Sequence, residues 1–254
     1  MVIYMSGSQN LRIVVFCLGF ETVKVLKPLE YYKADRAYML CMTKAPGYKA
    51  FKKEIERQMK GKAIEFLAIE TTVYKFSDCL KELYKILHME KEAGNHVYVN
   101  IFGTPAYSAA AMVACMMEDA VPFFAGTKEY TIPDPKEYYV KGRPMGISRE
   151  DYDPMELPIF HLDPPRVDVI KGLRLWKKRV EKGWVLTDTA IIEDLEKNGL
   201  MKKVHDNRGR VTQNAKMQYR RRFLEKWLSE KWVEPIERGK YELTDYGKVV
   251  VEVF

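Results

Sequence analysis

The chain has 254 residues, 47% of them hydrophobic and 30% charged, with a formal net charge of +7. This is ample for a packed core, and no run approaches the roughly 18 consecutive apolar residues of a membrane span. The opening Met1–Asn10 lacks a charged stretch followed by a long apolar one, so it reads as an N-terminal extension of a cytoplasmic protein and predicts neither a secretion signal nor a membrane partner.

From residue 11 onward, apolar and amphipathic runs alternate. LRIVVFC (11–17) reads as a strand, and GFETVKVLKPLEYYK as a helix that Pro28 bends or breaks. RAYMLCM (36–42) is a second strand, followed by a charged helix from Tyr48 to Lys60. AIEFLAIETT (63–72) is a third, and Ser77 is expected to cap a helix reaching about Glu92. HVYVNIF (96–102) is a fourth strand, feeding a helix from Pro105 to Met117, and VPFFAG (121–126) is a fifth. Near-continuous apolar strands alternating with helices predict an α/β fold, a Rossmann-like open parallel sheet covered on both faces. Residues 127–167 carry seven of the twelve prolines; LPIFHL (157–162) reads as a sixth, edge strand and Asp163-Pro164-Pro165 as a hinge. The domains expected are thus an extension (1–10), a ligand-sensing α/β domain (11–163) and a C-terminal module (164–254).

That module predicts helices at 168–182, from Thr187 or Asp188 to Asn198 with Gly199 as the stop, and at 213–230. A two-stranded hairpin with its tip at Arg238-Gly239-Lys240 follows, then a short helix from Asp245, which is the order of a winged helix-turn-helix. Between Val167 and Phe254 stand 20 Lys+Arg and 14 Asp+Glu, a net of +6, so nearly all the excess charge lies here. Polyanion contact is expected at this end only. The third helix offers Gln213, Asn214, Lys216, Arg220 and Arg221, side chains able to bond base edges, while Arg238 and Lys240 at the hairpin tip suit backbone phosphates. Double-stranded DNA is the partner this predicts. A solvated basic face on a dimerisation module is the plainer alternative.

In an open parallel sheet, ligands sit beyond the carboxyl ends of the strands, where strand order reverses. With the order 3-2-1-4-5 that point lies between the first and fourth strands. Their loops supply Gly19, Phe20 and Glu21 on one side, and Asn100, Phe102, Gly103, Thr104, Tyr107 and Ser108 on the other. Gly19 and Gly103 let backbone approach a ligand, Asn100, Thr104 and Ser108 offer hydrogen bonds, and Phe20 and Tyr107 can stack on a base. Neither loop is a Walker loop or a GxGxxG, which argues against ATP and NAD. The four cysteines (Cys17, Cys41, Cys79, Cys115) lack a CxxC pair and read as buried thiols; the four histidines are scattered, and no metal site or catalytic set is expected. Lys141 and Arg143 read as an ordinary surface loop or a basic lid.

HVYVNIFGTPAYSAAAMVACMM resembles the fourth-strand motif of the CRISPR-associated Rossmann fold (CARF) proteins. VFCLGFETVKVLKPLEYYKADRAYML, together with the C-terminal module, is similar to an archaeal group of CARF-related transcriptional regulators. The resemblance implies a homodimer whose paired α/β domains hold a nucleotide-like effector, a cyclic oligoadenylate, with no other cofactor. It also implies that Gly19, Phe20, Asn100, Gly103 and Thr104 face that effector. The family's Gly-Thr-Lys turn is here Gly103-Thr104-Pro105, without the lysine, and Glu21 adds a carboxylate. A ring nuclease and a DNA-binding protein that has lost its ligand are the alternatives.

Overall fold

Six consecutive residues rich in β-branched and aromatic side chains, Arg12–Cys17, form β1, with all but the first buried. The computed structural model describes residues 10–42, 44, 47–126, 136, 139–144, 154–159, 161–183, 186–237 and 240–254. They belong to two units, Met1–Asp163 and Pro164–Phe254. In the first, β1 is followed by α1 (Val23–Tyr31), β2 (Arg36–Cys41), α2 (Tyr48–Met59), β3 (Glu65–Glu70), α3 (Phe76–Glu92), β4 (His96–Asn100), α4 (Pro105–Glu118) and β5 (Val121–Phe124). The hairpin β6 (Tyr139–Val140) and β7 (Arg143–Pro144) comes next, then β8 (Met155–Glu156).

The sheet order is β3-β2-β1-β4-β5-β8. The pairs of β1 with β2 and β4, of β2 with β3 and of β4 with β5 are all parallel, which is the Rossmann-like order expected. The sixth strand departs from expectation. It lies at Met155–Glu156 and runs antiparallel to β5, with Phe123 opposite Glu156. The described part of LPIFHL is irregular, though Leu157 N–H still donates to Pro122 at 2.8 Å. Ser77 is not a cap: α3 starts one residue earlier, with Lys75 at the N-cap, and Ser77 is buried within its first turn. The hairpin of Lys141 and Arg143 lies against α2, where the Tyr139 and Phe51 rings are 6.2 Å apart.

At the amino ends of the strands, Glu90 is 1% exposed and closes α3 onto the sheet. It accepts from Tyr38 Oη at 2.5 Å, Arg36 Nη1 at 2.7 Å and Asn95 Nδ2 at 2.5 Å. Three donors on one buried carboxylate meet the condition under which burying that charge is tolerable. All four cysteines are free and buried in this unit. Burial pushes the Cys17 thiol up to about 12 and those of Cys41 and Cys79 up to about 11, so they stay neutral.

The second unit contains α5 (Val167–Glu181), α6 (Asp188–Lys197), α7 (Gln213–Tyr219), α8 (Glu225–Ser229), the antiparallel hairpin β9 (Val233–Glu237) and β10 (Lys240–Leu243), and α9 (Asp245–Val253). Threonines cap three of these helices by accepting a backbone N–H three residues on: Thr187 from Ala190, Thr212 from Ala215 and Thr244 from Gly247. The core collects Ile170, Leu173, Ile192, Leu195, Phe223 and the buried indoles of Trp176, Trp227 and Trp232. Trp227 Nε1 donates to the Val169 carbonyl at 3.1 Å.

The third helix holds a feature that periodicity alone did not predict. A π-helical turn, Arg220–Leu224, joins α7 to α8. Ala215, Tyr219, Phe223 and Trp227 are all buried and fall four residues apart. An α-helix would rotate such a stripe by about 40° per step, and a wider turn takes up the excess. The four then share one face, and Arg220, Arg221 and Arg222 are left exposed.

Gly247 sits where a Cβ would overlap the backbone carbonyl of Trp232. Gly247→Ala must move α9 or the start of β9, and we expect it to destabilise the second unit by about 3 kcal/mol or more. Urea unfolding followed by tryptophan fluorescence reads this out; an unchanged midpoint rejects the packing described.

Candidate functional site

Proline has no N–H, so Pro28 within α1 leaves the carbonyl four residues earlier, that of Lys24, without its helical donor. Asn100, at the last position of β4, fills the gap: its Nδ2 donates to Lys24 O at 2.9 Å. Its Oδ1 accepts from Phe102 N–H at 3.0 Å, which turns the chain out of the strand. Its own carbonyl accepts from Tyr107 Oη at 3.0 Å, drawing α4 onto the same point. One side chain, 2% exposed, therefore joins β4, α1 and the following loop, and its residue's carbonyl brings in α4.

Above this knot lies a cleft of about 230 Å³. Leu18, Gly19, Phe20 and Glu21 line it from the loop after β1; Phe102, Gly103 and Thr104 from the loop after β4; and Tyr48 from the start of α2. The cleft is at the carboxyl ends of β1 and β4, where the strand order reverses. Five of the residues anticipated on its walls besides Phe102 are there: Gly19, Phe20, Glu21, Gly103 and Thr104.

Three anticipated residues do not line it. Asn100 is spent on the knot. Tyr107 is 0% exposed, and burial raises its phenol well above the ordinary tyrosine range; it is a core side chain and no stacking surface. Ser108 Oγ donates back to Thr104 O at 3.0 Å, within the first turn of α4. Thr104 lines the cleft but is engaged: it caps α4 by accepting from Tyr107 N–H at 3.2 Å, and its hydroxyl donates to Val73 O. Phe20 packs its ring on Tyr48 at 4.7 Å and on Phe51 at 5.1 Å, edge-on to the latter.

The two glycines also differ from expectation in what they do. A Cβ on Gly103 would stand 2.7 Å from the Tyr107 ring and 3.0 Å from Cys17 Cβ, so glycine there serves close packing of loop on helix. A Cβ on Gly19 would meet only Phe102, at 3.9 Å, so that position is open.

Two contributors escaped the sequence reading. Tyr48 opens α2, the helix after β2 and so one strand beyond the pair flanking the reversal, and its hydroxyl lies 2.7 Å from that of Tyr74. Lys24, in the first turn of α1, is only 1% exposed, and its Nζ is 4.0 Å from the centroid of the Phe102 ring. A lysine is seldom wholly buried, and a cation is disfavoured at a helix N-terminus. That conflict with local rules was the available signal. It sets the lysine against the ring of Phe102, which lines the cleft.

In the second unit, Gln213, Asn214, Arg220 and Arg221 are exposed and Lys216 is half-buried, on the helix opposite the core. Arg220 lies 3.6 Å from Glu225. Arg222 is held by Asp168, at 2.6 Å. Arg238 lies outside the described residues, and Lys240 opens β10.

Residues 12–130 match a family model described as "HFX_2341_N:-like, N-terminal". No curated protein matches the chain. Among solved structures, the chain is similar to a type III CRISPR defence DNA nuclease activated by cyclic oligoadenylate, at 12% identity and a TM-score of 0.40, covering 46% of this chain and 19% of that one. It is similar to Can2 from Sulfobacillus thermosulfidooxidans, solved with cyclic tetra-adenylate, at 10% identity and 0.39, covering 94% and 63%. Protein VC1899 from Vibrio cholerae gives 11% and 0.39, covering 95% and 64%. The chain thus spans less than two thirds of each of these three proteins.

If Asn100 substitutes for the donor that Pro28 lacks, the two positions are coupled. Asn100→Ala should cost about 1–3 kcal/mol through the buried groups it orphans. Placing Pro28→Ala in that background supplies an N–H to Lys24 O and should recover part of the loss, a coupling of about 1 kcal/mol. Strictly additive costs in a double-mutant cycle by chemical denaturation would show that the two are unrelated.

Proposed function

We propose that this protein is a CARF-like, ligand-responsive DNA-binding transcriptional regulator. It acts as a homodimer whose α/β units sense a cyclic oligoadenylate and whose C-terminal winged helix reads duplex DNA. The observation that carries the sensing half is the cleft: the loops after β1 and β4, far apart in sequence, line one crevice at the strand-order reversal. The sequence resemblance to CARF proteins gives that crevice its ligand class.

Size supports a shared site. A cleft of about 230 Å³ is smaller than the roughly 300–1,000 Å³ of a drug-sized ligand site. It suits a single nucleotide-sized portion of a cyclic tetranucleotide. Two copies related by a two-fold axis would present the same walls twice to a two-fold ring. Charge supports it too. The loop after β4 lacks the family's lysine, but Lys24 puts an ammonium group behind Phe102, where an anion in the cleft would meet its field. Glu21, on the loop after β1, adds a carboxylate to the lining, which favours a ligand offering hydroxyl donors as well as phosphate.

The reading half rests on the third helix. Its exposed face carries amides first and guanidinium groups after, and recognition helices use their N-terminal half on base edges. Ligand capture alters DNA affinity only if the ring binds one placement of the two reading helices better than the other. Half-sites about one helical turn apart make affinity sensitive to a small rotation.

Isothermal titration with cyclic tetra-adenylate tests the sensing half. One ring per two chains is expected, and Lys24→Met should weaken association at least tenfold while leaving the fold intact. No binding, or one ring per chain, rejects the shared cleft.

For the reading half, Arg220→Ala combined with Arg221→Ala should remove about 2–6 kcal/mol of sequence-specific binding and leave the dimer in place. A salt-controlled mobility-shift assay on operator fragments selected with the wild-type protein, paired with sedimentation, checks both. Unaltered specificity rejects this helix as the reader.

A further inference from the structure

Ahead of α7 stands a small built turn. Val204, buried, and Thr212 are joined by a bond from Thr212 N–H to Val204 O at 2.9 Å, and His205 bridges Val211. Within this frame Asp206 organises the tip. Its Oδ1 accepts from the backbone N–H of Arg208 at 2.8 Å and of Arg210 at 2.9 Å, and its Oδ2 from Arg210 Nε at 3.2 Å. Gly209 closes the turn at a φ of +72°, in the left-handed region open to glycine. The amides of Arg210 and Arg208 hold the Asp206 carboxyl below its ordinary range, so the turn keeps its acceptor charged well below neutral pH.

Positive charge stands on the tip, at Arg208, and just ahead of the frame, at Lys202 and Lys203. Lys202, Lys203 and Arg208 are exposed, and among the described residues none is in an ion pair. Arg210, in the same turn, is committed to Asp206. Three exposed, unpaired cations within seven residues suit a polyanion. The tip stands about three residues beyond the Val204–Thr212 frame, roughly 10 Å at strand rise. The frame ends in Thr212, which caps α7, so the turn is fixed to the first turn of the reading helix.

We propose that Lys202, Lys203 and Arg208 form a second phosphate-binding site, which holds the backbone of duplex DNA beside the N-terminus of α7. This rests on the DNA-reading role given above and extends it: the turn clamps the strand flanking the groove that the helix enters. Phosphate contacts fix register and carry no sequence information.

The triple variant Lys202→Ala, Lys203→Ala, Arg208→Ala, assayed as the full chain, tests this on a duplex of arbitrary sequence between about 50 and 200 mM salt. Each phosphate contact contributes about 0.9 to the slope of log association constant against log salt. The slope should therefore become shallower by about 2 to 3, while the melting temperature stays at the wild-type value. The charge-preserving variant Lys202→Arg, Lys203→Arg, Arg208→Lys should keep the wild-type slope. A wild-type slope in the triple-alanine variant, or an equal loss in the charge-preserving one, overturns the second site and leaves the reading helix standing. A wild-type protein that binds no duplex even at the lowest salt overturns both, and that result is visible without any variant.

Discussion

The α/β unit depends on how one missing amide proton is compensated. Pro28 sits in α1 and removes a donor from Lys24 O, and Asn100 returns it from the tip of β4. An unmet buried carbonyl would cost about as much as a lost hydrogen bond. The compensation does more than settle that cost, because the same side chain receives Phe102 N–H and the same residue anchors Tyr107. The cleft's two walls are therefore set by one constraint. α1, which follows the β1 loop, and the β4 loop are held at a common point, and neither can shift without exposing an unpaired polar group.

Much of the sheet was legible because buried parallel strands are nearly continuous apolar runs. Residues 11–17, 36–42 and 96–102 could hardly be anything else once helices were seen between them, though the last strand ends at Asn100. The cleft's position followed from the same pattern, since a strand order fixes where its reversal lies. Edge elements were less legible. β8 is two residues long and carries no alternation to detect, so the apolar LPIFHL next to it drew the assignment instead. The roles of Asn100, Tyr107 and Ser108 were also beyond the sequence. Each is a hydrogen-bonding residue in a loop that faces a cleft, and nothing local shows that its bonds turn inward. Asn100 answers to a proline 72 positions away.

Lys24 shows the same limit from the other side. On a helical wheel it is one more charge of an amphipathic helix, yet it is among the most deeply buried side chains of the unit. Its burial is a tertiary fact, set by Phe102. The third helix of the C-terminal unit, in contrast, announced its core face through Phe223, Leu224, Trp227 and Leu228, but the burial of Tyr219 and the four-residue spacing that requires a π turn are subtler signals than the apolar stripe itself. That turn spreads Arg220–Arg222 on the outer side. Arg222 then returns to Asp168 at the start of α5 and holds the helix to the body of its unit.

The two units also differ in the spectroscopic groups they own. Every cysteine, Cys17 to Cys115, belongs to the sheet unit, and every tryptophan, Trp176 to Trp232, to the helical one. The thiols are sealed in and neutral, so a maleimide or disulfide reagent reacts only when the sheet opens. Indole emission answers only to the other half. The native chain thus carries two independent clocks, one chemical and one optical, by which the loosening of the two units can be timed separately in a single sample without adding any dye-bearing residue.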